Sequence, residues 1–176
     1  MEEKIPCACC GRAVGLDTFP ACGYCGYLNV AVVGGTTRYD SAAREHRTAA
    51  IAKLTDISVT AYQYGWSEEE GRYGLLSTER IKLADGPDCD GAVFWAGQSF
   101  EQNPDGGPVP LKLTYRYGGQ WWSVQWEARP KPSRSCWDIG LEIDGGLSLV
   151  IYLGGPQSWV KCEPIAFIRR KGGAPG

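Results

Sequence analysis

Histidine and methionine are almost missing from this chain of 176 residues, each occurring once, as His46 and Met1. Catalysis by a nucleophile and its base ordinarily draws on a histidine close to a serine or cysteine. The single histidine instead sits in Arg44-Glu45-His46-Arg47, which reads as a solvated helix face. Gly-x-Ser-x-Gly, phosphate-loop, dinucleotide-binding and His-Glu-x-x-His signatures are absent too, so most standard enzyme classes lose their support. No apolar run approaches the roughly 20 residues of a membrane helix. Met1-Glu2-Glu3-Lys4 leads into cysteines without the apolar stretch of a secretory signal, and a cytoplasmic address is the expectation. An excess of charge is also missing. Lys and Arg total 18 against 20 Asp and Glu, a net charge of -2, so no global field draws in phosphate backbones or anionic membrane.

Cysteine, by contrast, is abundant, and its placement is informative. Of eight cysteines, Cys7 and Cys10 form one Cys-x-x-Cys pair and Cys22 and Cys25 another, each followed by glycine, while Cys89, Cys136 and Cys162 are scattered. Two tight turns of this kind bring four sulfurs onto one ion, with backbone N–H groups aimed at them and glycine supplying the conformation after the second cysteine. Zinc suits a tetrahedral four-thiolate cage, and the 11 residues between the pairs match a short hairpin joining the two turns. The expectation is one structural Zn2+, with no open position for water or substrate. Iron fits the same sulfur-rich geometry. Cys9 directly precedes Cys10 and is the alternative ligand, although Cys10 preserves the spacing of the second pair.

The run Cys7-Ala8-Cys9-Cys10-Gly11 followed by Cys22-Gly23-Tyr24-Cys25 resembles zinc ribbons, and in particular a small cysteine-rich bacterial family marked by Cys-Pro-Cys-Cys-Gly. Ala8 stands where that family has proline. The resemblance covers about residues 5–29 and implies metal binding without a defined activity.

The rest of the chain reads as mainly β. Residues 1–33 form the expected ribbon and 34–54 a linker and one short helix, alanine-rich from Asp40 to Leu54 with Asp40 or Ser41 as its cap. Residues 55–170 form an antiparallel β-sandwich or jelly-roll-like domain, and 171–176 a frayed tail. The period changes to two where Ile57, Val59 and Ala61 alternate with Ser58, Thr60 and Tyr62. Strand patterns follow at Leu111 to Tyr117, Trp122 to Trp126, Ile139 to Ile143 and Leu147 to Leu153. Gly118-Gly119 and Asp144-Gly145-Gly146 join these four into two consecutive hairpins. Shorter strands are expected at Gly74 to Leu83, Ala92 to Ala96 and Trp159 to Ile168, about eight in all and enough for two packed layers. Gln102 to Pro108 and Arg129 to Ser135 have loop compositions.

Seven tryptophans are the second unusual feature. Trp122, Trp126 and Trp95 are assigned to the core, whereas Trp121 shares its strand face with Ser123 and Gln125 and projects outward. With Tyr115, Tyr117 and Tyr152 it is the candidate platform for a protein partner or for sugar rings. The leading expectation is therefore a non-enzymatic protein-binding or adaptor module, with pairing of two copies into a homodimer as a further option. A carbohydrate-binding or glycoside-hydrolysing sandwich is the alternative, using two carboxylates from Glu127, Asp138, Glu142, Asp144 and Glu163. Nucleic acid is disfavoured, because the ribbon carries only Lys4 and Arg12 as basic residues. Glu68-Glu69-Glu70 reads as a solvated loop, and Asp85, Asp88 and Asp90 lack the spacing of a calcium loop.

Overall fold

The computed structural model describes residues 4–15, 21–29, 39–85, 93–101, 108–128, 136–154 and 161–170. The ribbon-to-helix boundary, Asp88, Cys89 and Asp90, most of both expected loops, Trp159, the tail, and the side chains of Asp85, Trp137 and Asp138 lie outside that description.

The first segment is a small cysteine-rich unit. Strands β1 (Lys4–Pro6) and β2 (Ala13–Gly15) pair antiparallel around the first Cys-x-x-Cys turn, and an Ala21 to Leu28 bridge closes the second. Each turn thus has a hairpin of its own. Helix α1 (Ser41–Lys53) follows, with Asp40 at its N-cap: the carboxylate accepts from the Ala43 N–H at 2.9 Å. Ala43, Arg47 and Ala50, spaced i, i+4, i+7, form its buried face. Arg47 departs from the solvated face read from the sequence, because its Nε donates to the Ile168 carbonyl at 3.1 Å and the side chain is buried.

The remaining strands hydrogen-bond into one nine-stranded antiparallel sheet: β3 (Leu54–Ser67), β4 (Arg72–Asp85), β5 (Phe94–Trp95), β6 (Phe100–Glu101), β7 (Val109–Tyr117), β8 (Gln120–Ala128), β9 (Cys136–Asp144), β10 (Leu147–Gly154) and β11 (Lys161–Arg170). The order across it is β8-β7-β3-β4-β5-β11-β10-β9, with β6 beside β11. The two facing layers expected are halves of this single sheet, which curls onto itself. Tyr117 near one end of the order donates to Asp144 Oδ2 at the other, 2.9 Å away. Both predicted hairpins form, β7 with β8 and β9 with β10.

Alternation fills the inside of the curl. Ile57, Val59 and Ala61 of β3, Leu111 and Leu113 of β7, Leu149 and Ile151 of β10, and Ala166 and Ile168 of β11 are buried in one cluster, to which α1 adds Ala50 and Ile51. Two tryptophans depart from the expected core. Trp122 is 52% exposed, on a strand that ends the order of the sheet and pairs on one side only among the described strands. Trp95 is 40% exposed: its neighbour Phe94 points inward, which leaves Trp95 on the outer face, paired with Ile165. Trp126 does pack against the core. No helix among the described residues is long and apolar enough to cross a membrane.

Candidate metal centre and the seam beside it

The two Cys-x-x-Cys-Gly turns have the same backbone wiring. Gly11 N–H donates to the Cys7 carbonyl and Gly26 N–H to the Cys22 carbonyl, both at 2.9 Å. Cys7 N–H reaches the Arg12 carbonyl at 2.7 Å and Cys22 N–H the Tyr27 carbonyl at 2.9 Å. Gly11 and Gly26 stand at φ 76° and 72°, the left-handed region that glycine enters without a Cβ penalty. Each turn aims an amide at a sulfur, Cys9 N–H at Cys7 Sγ and Tyr24 N–H at Cys22 Sγ, both at 3.4 Å.

These turns bring Cys7, Cys10, Cys22 and Cys25 together with all four sulfurs within 4.8 Å of one another. Cys7 and Cys25 sulfurs are 3.6 Å apart and those of Cys10 and Cys22 3.5 Å. A disulfide needs about 2.05 Å, whereas a tetrahedral ion about 2.3 Å from each thiolate sets sulfurs roughly 3.8 Å apart. The separations fit the second. Hydrogen bonding among the sulfurs also splits their proton affinities: the Cys10 contact chiefly holds Cys7 far below an ordinary thiol and brings Cys22 down to about 7, while its neighbours push Cys25 far above. Four sulfurs this close carry full negative charge together only with a cation among them. The cluster can hold a metal ion, and Cys10 rather than Cys9 belongs to it. Cys9 is fully buried and packs against the group.

Asn29 is a part of the centre that sequence reasoning missed. It is buried, accepts from Ala8 N–H at 2.8 Å, and donates from Nδ2 to Cys7 Sγ at 3.3 Å. A neutral donor to a ligating sulfur orients it and spreads its charge. Four residues beyond Cys25, Asn29 falls outside the Cys-x-x-Cys-Gly motif, which carries no trace of it.

The ribbon docks directly on the curled, barrel-like sheet, called the barrel below. Arg170 N–H donates to the Cys25 carbonyl, and Arg169 packs against Gly26. Asp40 N–H donates to the Ala8 carbonyl at 3.1 Å, and Tyr27 donates its hydroxyl to Asp40 Oδ2 at 2.7 Å, which pushes the Tyr27 phenol up to about 12. Ala43 of α1 completes the buried cysteine cluster.

Beside this docking site, the outer faces of β5, β10 and β11 form a groove. Tyr152, Ile165 and Trp95 stand side by side across three strands, and Val93 and Phe167 extend the apolar floor. Gly23, Tyr24 and Arg12 of the ribbon make the opposite wall, with the Arg12 guanidinium 4.5 Å from the centre of the Tyr24 ring. The groove holds about 310 Å³. A readable signal existed: Ile165-Ala166-Phe167-Ile168 is apolar on both faces, which in an antiparallel sheet means that something covers the outer side.

The structure does not assemble the aromatic platform expected around Trp121. Trp121 is outward and 57% exposed, with Arg116 5.9 Å from its ring centre. Tyr115 and Tyr117 occupy the opposite face of β7, Tyr115 only 6% exposed in the core and Tyr117 packed against it. Tyr152 lies in the seam groove instead. Of the candidate carboxylates, Glu127 is on β8, Glu142 and Asp144 on β9 and Glu163 on β11. Asp144 accepts from Tyr117 and from Gly145 N–H, and His46 Nε2 stands 3.8 Å from its Oδ1. No family model, no curated protein and no solved structure matches this chain.

Proposed function

We propose that this is a non-enzymatic binding protein of the adaptor type, in which one structural zinc ion fixes the ribbon on a β-barrel and the seam between them receives a protein partner. Zinc is favoured by four convergent thiolates in a closed tetrahedral arrangement, which keeps no coordination position for chemistry. Ligands of this kind need a reducing compartment, in keeping with a cytoplasmic address.

The observation that carries the reading is the groove of Tyr24, Val93, Trp95, Tyr152, Ile165 and Phe167. Its floor belongs to the barrel and one wall to the ribbon, so the metal centre maintains its shape. Aromatic and apolar pockets bordered by an arginine are the usual anchors of protein interfaces, where a few such residues dominate affinity.

Elemental analysis should find one zinc per chain, and iron in its place would sink the metal assignment. With the metal-loaded protein as bait, a discrete partner should be retained by wild type and by Trp121→Ala but lost by Trp95→Ala. Loss in Trp121→Ala with retention in Trp95→Ala would move the interface to the outer face of β8 and overturn the seam.

A further inference from the structure

The chain carries slightly more acid than base, yet the two signs are not evenly mixed over the barrel. β8, β7, β3 and β4 lie side by side. β7 pairs with β8 without a shift along its whole length, and β3 pairs without one with β7 over 58–61 and with β4 over 57–63. Val59, Ile81 and Leu113 of this stretch are buried in the core, so the residues that alternate with them face out. Arg80 and Lys82 of β4 and Lys112 and Arg116 of β7 therefore share one outer face with Trp121 of β8.

A solvated antiparallel face ordinarily sets opposite charges across from one another. Here every cation lies across from a neutral side chain: Lys82 from Ser58, Arg80 from Thr60, Lys112 from Thr60 and Gln125, and Arg116 from Thr55 and Trp121. None of the four has an ion-pair partner among the described residues. The acids closest to them on these strands are Glu79, on the opposite face beside Ala61, Glu127, the next outward residue of β8, and Asp56, at the register shift before Ser58. Arg80 and Lys82 stand about 7 Å apart along one strand, and Lys112 about 10 Å from Arg80 across two, so their mutual repulsion is relieved by a ligand with repeated negative charge. Lysine, arginine, hydroxyl and amide side chains are the groups that hold phosphates. Trp121 adds an indole that is 57% exposed beside Arg116, a surface on which an unpaired base can stack. A duplex fits less well, because four strands span about 14 Å between outer backbones, too broad to enter a major groove of about 12 Å.

We propose that this outer face binds single-stranded nucleic acid, its phosphates held by Arg80, Lys82, Lys112 and Arg116 and one base stacked on Trp121. The site lies on the barrel, so the scarcity of basic residues in the ribbon does not bear on it.

The test is fluorescence anisotropy of the full-length, metal-loaded protein with labelled single strands of about 12 nucleotides, oligouridylate and oligothymidylate. Affinity should fall with salt at a log-log slope of about -2 to -3, since each phosphate neutralised on a single strand contributes about 0.7. Lys82→Ala with Lys112→Ala should weaken binding and make that slope shallower by about 1.4. Trp121→Ala should weaken binding about tenfold and leave the slope as it was, a split that simple misfolding does not produce. Lys4→Ala in the ribbon and Trp95→Ala in the seam should change neither quantity. Binding of either oligomer in this way supports the proposal, and their ratio tells whether RNA or DNA is preferred. No binding at low salt, equal affinity for a duplex or for inorganic polyphosphate, an unaltered slope in the double variant, or full affinity in Trp121→Ala would each overturn it.

Discussion

The ribbon and the barrel hold themselves together by different physics, although they share a chain and a contact surface. The barrel buries a continuous cluster from eight of its nine strands, with Ile57, Ile81, Leu113, Leu149, Ile151 and Ile168 almost wholly enclosed. Removal of apolar surface from water suffices to stabilise such a unit. Among the described residues, the buried cluster of the ribbon is Cys7, Cys9, Cys22 and Cys25 with Val14, Ala43 of α1 and the partly buried Tyr27 against them. Sulfur rather than hydrocarbon dominates that cluster. With the proposed metal bound, the ribbon would depend on that ion and on the barrel beneath it, whereas the core of the barrel contains no cysteine cluster among the described residues.

Breaking the metal centre is the harshest test of that asymmetry. Cys22→Ser with Cys25→Ser, or a strong chelator, should remove on the order of 10 kcal/mol of ordering free energy from the ribbon. Hydrogen exchange should then show loss of protection over 4–15 and 21–29 and retained protection in β3, β7 and β10. Simultaneous collapse of the barrel strands would break the comparison. The reciprocal test is Leu113→Ala, which opens a cavity in the barrel core. It should cost about 2–5 kcal/mol in urea unfolding and leave the metal content of the folded protein unchanged.

The same asymmetry explains how much of the molecule was legible in its sequence. The cysteine cluster was readable because duplicated Cys-x-x-Cys-Gly spacing fixes geometry locally, within two turns. The hairpins at Gly118-Gly119 and Asp144-Gly145-Gly146 were readable for the same reason. What depended on distant parts of the chain was not. Trp122 carries the alternation of a core residue, yet it stands on the strand at the end of the sheet order and is half exposed. Tyr115 and Tyr117 alternate onto the core face, whereas Trp121, on the partner strand opposite Arg116, faces out. The seam groove needed the knowledge that the second cysteine turn lands on β11, more than a hundred residues away in sequence.

The contact between the two regions can be sharpened with a pair of glycines that are locally equivalent and differ only in surroundings. A Cβ on Gly11 meets nothing within 4 Å, so Gly11→Ala should cost only the left-handed strain, about 1 kcal/mol. A Cβ on Gly26 would stand 2.5 Å from the Arg170 carbonyl oxygen and 2.5 Å from Arg169 Cγ. The arginine side chain can move but the β11 backbone cannot do so cheaply, and Gly26→Ala should therefore push the ribbon off the barrel. The expected signature is a larger fall in thermal stability than for Gly11→Ala, together with increased exchange at the Arg170 amide. Equal effects in the two variants would mean that the docking contributes little.

The smallest effect resides at Asp40, where helix and ribbon meet. Hydrogen bonds from Ala43 N–H first, then from the Tyr27 hydroxyl, hold its carboxyl below the usual carboxylate range. A depressed folded-state pKa means that the contribution is fully present above the unfolded value of about 3.9 and lost as pH falls through the folded one. Asp40→Ala should cost about 1 kcal/mol at neutral pH through loss of the cap. Asp40→Asn keeps an oxygen that can accept from Ala43 N–H but has no charge to titrate, so most of the stability should remain while its acid dependence flattens. Unfolding followed from about pH 5 to pH 2 separates the variants. If Asp40→Asn tracks wild type throughout, the acid sensitivity arises elsewhere, and the charge at the junction does not help to hold the two regions together.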